Sequence, residues 1–169
     1  VVATRRVNDL EVEGRIDVCE HGGVEGVRRQ PGPAPPLVIA MPKPMADALG
    51  YPAKPIGWAD LRALAVSPDG WATLGSPTWG EFRMGKTNPN FSTSGLSALV
   101  AQGYAATGKT ARLSTEDLDS AAVASFAKDL EGAVVHYGDT TLTFLNNFAR
   151  ADERGPALTY VSAVAVEEK

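Results

Sequence analysis

Four prolines within Pro31-Gly32-Pro33-Ala34-Pro35-Pro36 constrain this chain more than any other feature. Proline has no backbone donor and a fixed φ, so the run fits neither a helix interior nor a central strand. It reads as a stiff, extended linker. Leu37-Val38-Ile39-Ala40-Met41 follows at once and ends at Pro42. A short continuous apolar run bounded by prolines predicts a buried strand. The first thirty residues carry five arginines and no lysine among scattered Val and Gly. Asp9 to Val12 and Gly14 to Val18 alternate weakly, without a convincing apolar face. Nor is there the apolar stretch of an export signal. The chain therefore divides into an unassigned segment with its linker, 1–36, and a folding unit, 37–169.

Beyond the boundary the sequence predicts an α/β order. One helical turn is expected over Met45 to Leu49. Trp58 to Ala65 forms a short helix with Leu61, Leu64 and Ala65 on one face. Phe82 to Lys86 alternates as a strand. A long helix opens on Ser92-Thr93-Ser94 and closes at Gly108, with Leu96, Leu99, Val100 and Tyr104 as its stripe. Another starts at the cap pattern Ser114-x-x-Asp117 and presents Val123, Phe126, Ala127 and Leu130. A third follows Asp139 with Leu142, Leu145 and Phe148, and Leu158 to Val166 is the last strand. Strand, helix, strand, helices, strand points to helices packed on a mixed sheet.

Composition removes several classes of function. The 169 residues are 44% hydrophobic and 21% charged, the profile of a globular domain. A net charge of -4 gives no global attraction to nucleic acid or an anionic membrane. One cysteine excludes an internal disulfide or a Cys-rich metal site, and two histidines leave little for zinc. No run approaches the ~18 apolar residues of a membrane span. No cofactor is expected.

Gly103 to Thr110 (Gly-Tyr-Ala-Ala-Thr-Gly-Lys-Thr) fits the phosphate-loop pattern letter for letter. There, backbone N–H groups would cradle phosphates, Lys109 would reach them and Thr110 would hold magnesium. That chemistry needs a strand before the loop and a helix start after it. Here a helix leads in, and Gly108 is placed to close it. A nucleotide-binding enzyme using Gly103–Thr110 is the alternative functional reading.

Two polar turns are better placed to hold a ligand. Ser92-Thr93-Ser94-Gly95 opens the long helix, where free N–H groups meet the positive end of the helix dipole. Asn88 lies just upstream on the strand-to-helix loop, the kind of loop that lines ligand crevices in open α/β sheets. His136-Tyr137-Gly138-Asp139-Thr140-Thr141 reads as a helix–helix corner, with Asp139 or Thr140 capping the next helix and Tyr137 able to meet solute. The candidate ligand-binding residues are thus Asn88, Ser92, Thr93, Ser94, Gly95, Tyr137, Asp139 and Thr140. No motif places a nucleophile beside His136, so a hydrolase triad has no support. Trp58, Trp71 and Trp79 could stack sugars or bases, but packing of a loop-rich lobe is the simpler expectation.

Several ordered segments resemble one family. Leu37 to Ala46, Ile56-Gly57-Trp58-Ala59-Asp60-Leu61, Gly80 to Pro89, Ser92 to Leu96 and His136 to Thr141 are similar to bacterial extracellular solute-binding proteins of the type II periplasmic-binding fold. The closest group is the one often fused to a von Willebrand factor A domain in actinobacteria. The resemblance implies two α/β lobes joined by crossing strands, with solute in the cleft and no catalysis. Leu37 to Met41 would be a crossover strand, and residues from about 56 to 166 most of the second lobe. It also implies a cell-envelope or extracellular place, and a transporter or an A domain as partner. Residues 1–36 do not resemble the first lobe and the return strand is not reached, so a fragment is expected. A structural domain with an empty cleft is the third reading.

Overall fold

The computed structural model describes residues 37–110, 112–155 and 157–167. The weak strands, Cys19, His21 and the proline linker lie outside the described residues. Four strands form one sheet: β1 (Leu37–Ala40), β2 (Met84–Thr87), β3 (Val134–Gly138) and β4 (Ala163–Glu167). Their order is β1-β4-β2-β3. β2 runs parallel to both neighbours, and β1 antiparallel to β4. The fold is α/β, with helices packed on a mixed sheet.

Side chains alternate across this sheet and divide the core in two. Leu37, Ile39, Met84, Ala163 and Ala165 face α2 (Trp58–Ala65), α3 (Thr93–Thr107) and α5 (Ala121–Gly132). Val38, Ala40, Val164 and Val166 face Phe144 and Phe148 of α6 (Thr141–Glu153). The connection leaving β2 therefore takes one face and the connection leaving β3 the other. Adjacent parallel strands whose connections part in this way make a crevice beyond their carboxyl ends.

Local chemistry explains most of the elements. The Gly57 N–H donates to the Asp60 carboxylate at 3.0 Å and starts α2. Leu61 and Leu64 are buried, as the period predicts. Trp71 is buried and donates its indole N–H to Ser162 Oγ at 3.0 Å, while Trp79 meets it edge-on at 5.4 Å. The tryptophans serve packing here. Ser114 and Asp117 form the predicted reciprocal cap, but it opens only α4 (Thr115–Leu118). Ser120 then caps α5 through Val123 N–H. Among the described residues no helix is long and apolar enough to cross a membrane.

The structure corrects several expectations. The helical turn after Pro42 is α1 (Lys43–Ala48), earlier than predicted. Phe82 and Arg83 precede β2, which runs on to Thr87. The helix–helix corner at His136 is the edge strand β3. Leu158 to Tyr160 belongs to a short helix, α7 (Ala157–Tyr160), and β4 begins only at Ala163. The stripe on α3 is turned outward: Leu96 is 52% exposed, whereas Ser94, Gly95, Ala98, Ala101 and Gln102 are buried. The cause is steric. A Cβ on Gly95 would stand 2.4 Å from the Thr87 carbonyl oxygen, so the helix seats its smallest face on the β2 exit. On α6, Leu142 is exposed and Phe144 takes the core position.

Candidate functional site

The carboxyl ends of β2 and β3 bring two helix starts together. Ser94, in the first turn of α3, is buried, and its hydroxyl has three hydroxyl neighbours. Thr87 Oγ1 lies at 3.0 Å, Ser92 Oγ at 2.9 Å and Thr141 Oγ1 at 2.8 Å. A hydroxyl donates once and accepts twice, so Ser94 Oγ is saturated. At least two of its neighbours must donate to it, and their lone pairs are left for other partners.

Ser92 occupies the cap position of α3 but makes no side-chain bond to the helix N–H groups. Its hydroxyl goes sideways to Ser94 instead. The first turn of a fifteen-residue helix therefore keeps donors that no cap side chain takes. α6 differs, because Thr140 accepts from Thr143 N–H at 3.1 Å. The loop before α3 is fixed from both sides. Asn88 N–H donates to the Gly138 carbonyl at 3.0 Å, and Asn88 Oδ1 accepts from Asn90 N–H at 3.0 Å.

Of the eight predicted residues, Asn88, Ser92, Ser94, Gly95 and Thr140 gather around this junction. Thr93 and Asp139 are exposed beside it. Tyr137 is held elsewhere: its hydroxyl donates to the Glu131 carboxylate, whose other oxygen takes the buried Lys86 ammonium. Partial desolvation of its hydroxyl, then this hydrogen bond and the carboxylate charge, push the Tyr137 phenol up to about 12, although the residue as a whole is exposed. Thr87 and Thr141 lie in the two polar stretches that the sequence marks but are not among the eight, and sequence reasoning missed Lys86 and Glu131. Thr141 carried a usable signal, standing next to the cap residue of α6, but nothing local tied it to Ser94.

The chain matches no known protein family, curated protein or solved structure. The site must be read from its own chemistry. The junction offers hydroxyl lone pairs and helix N–H donors. Across 87–95 and 138–143 its one charged residue is Asp139. Such a set binds by hydrogen bonds and dipoles, and suits a neutral polar group or a small anion.

The phosphate-loop match has the opposite geometry. Gly103 to Thr107 finish α3, and Gly108 adopts φ 66° as its left-handed cap. That end presents carbonyls, the negative pole of the helix dipole. Lys109 Nζ is paired with Asp117 Oδ2 at 2.7 Å.

Proposed function

We propose that residues 37–169 form a solute-binding module. It is one lobe plus crossover strand of a type II periplasmic-binding-protein-like fold, holding a small polar or anionic ligand without catalysis. One observation carries the reading. In the register of β1 and β4, Leu37 pairs with Glu167, so the described fold is joined to the rest of the chain by two adjacent strands at one end of the sheet. β2 is parallel to β4, so Thr87, Ser94 and Thr141 lie at that same end. A lobe attached through these two strands would stand over the hydroxyl junction, and ligand between the lobes would favour the closed form. The setting is the cell envelope or outside the cell, with a transporter or a von Willebrand factor A domain as partner.

The test is NMR titration of the chain with small oxyanions, sugars and amino acids. One class should shift the amide resonances of Thr93, Ser94 and Gly95. Binding should be weak, because on this reading residues 37–169 form one wall of the cleft. Ser92→Ala and Thr141→Val should each lower affinity by about 1–3 kcal/mol, since these hydroxyls keep lone pairs that the saturated Ser94 Oγ lacks. No response at these amides, or binding unaffected by both changes, overturns the reading.

A further inference from the structure

We propose that His136 is an acid-released latch, holding α7 and the start of β4 on the sheet only while its imidazole is neutral. The geometry joins three elements. The His136 ring, from β3, stacks on Tyr160 of α7 with centroids 4.0 Å apart and planes 16° apart. Tyr160 in turn lies 6.0 Å from Phe148 of α6, at 14°. Arg83, just before β2, holds the same corner by its backbone and side chain. Its carbonyl accepts from Ser162 N–H at 2.7 Å, and its guanidinium donates to the Thr159 carbonyl. The link from α7 into β4 thus rests on a neutral aromatic stack beside a fixed cation.

A proton on His136 places a second cation there. Partial burial comes first and the Arg83 charge second, and together they hold the imidazole below the ordinary histidine value. The groups facing it can be named element by element. β2 and its approach contribute Arg83. α7 contributes the Tyr160 ring and a backbone carbonyl that favours the protonated form, and α6 stands behind with Phe148. Among the described residues no carboxylate acts on it to offset Arg83. Stacking of an imidazolium on Tyr160 opposes the effect without reversing it. The sign follows: a lowered folded value means that the unfolded chain binds more protons. The latch is whole above the ordinary histidine value, and is lost as pH falls through the lowered one.

Amide hydrogen exchange across about pH 5 to 8, with NMR titration of the His136 ring, tests this. Protection of Tyr160 to Ala163 should fall about threefold or more, with the same midpoint as the ring. That midpoint should lie below the ordinary value and rise in Arg83→Met. His136→Phe keeps a ring to stack but takes no proton, and should lose the step. His136→Gln serves the same end if the Phe variant does not fold. A midpoint at or above the ordinary histidine value, or a step that survives both His136 variants, overturns the proposal.

Discussion

Gly85 has no side chain, and one face of the sheet depends on that. A Cβ there would stand 2.0 Å from Phe144 Cζ, inside the ring's own volume. Gly138 on the neighbouring strand makes the same allowance, with Phe144 Cβ 2.9 Å from its would-be Cβ. Phe144 is buried among Val38, Ala40 and Val164, so it has little room to retreat. Gly85→Ala should therefore cost about 3 kcal/mol, the upper end of the usual overpacking range. Adding Phe144→Leu should restore part of it. Thermal denaturation of both variants checks this, and an unchanged Tm for Gly85→Ala would contradict the fit. The sequence marks Gly85 only as one residue of an alternating run. Its requirement comes from a ring 59 positions later, beyond the reach of local pattern. Ser94 is similar: its polar, capping character is legible, but its bond to Thr141 spans 47 positions.

Strand β2 carries a charge into the core and relies on a helix to balance it. Lys86 is 2% exposed and pairs with Glu131 near the end of α5, which also receives Tyr137 from β3. One carboxylate thus ties two strands to a helix. Glu131→Gln should cost about 3 kcal/mol, because it strands a buried ammonium. Lys86→Met on that background should recover most of it, since the uncompensated charge is then gone. Urea unfolding of the single and double variants measures the difference; equal stability of both would rule out the charge as the cause. Among the elements, α2 was legible from its apolar spacing and α3 because its hydroxyls and Gly108 bracket it, whereas α5 was legible by its stripe alone, since the cap assigned to it opens α4. β3 was not. Ala133 alone separates it from α5, and at an edge Val135 and Tyr137 stay exposed, which blurs a strand's alternation. The orientation of α3 was also hidden. Large apolar residues mark one face, but close contact with Thr87 admits only small ones.

Across the whole molecule, the order of elements was enough to give an α/β fold, since strands parted by helices have few ways to pair. Strand order was not legible. β4 is inserted between β1 and β2, so the last strand of the described fold lies at the sheet's centre and completes it. The same insertion makes Leu37 and Glu167 direct partners. That pairing has a mechanical consequence. Antiparallel ladder bonds lie across the strands. A pull on the chain from both sides enters at one end of the β1–β4 ladder and opens it pair by pair, like a zipper. The load never falls on all the bonds at once, as it would in shear. Single-molecule stretching from the two chain ends should find a soft first event, with β1 peeling from β4 before the parallel strands yield. Pulling instead between Ala40 and Glu167, at opposite ends of the ladder, should demand a markedly higher force. Tension in the flanking chain would thus act first on β1 and β4, and only later on β2 and β3, whose exits carry the hydroxyl junction.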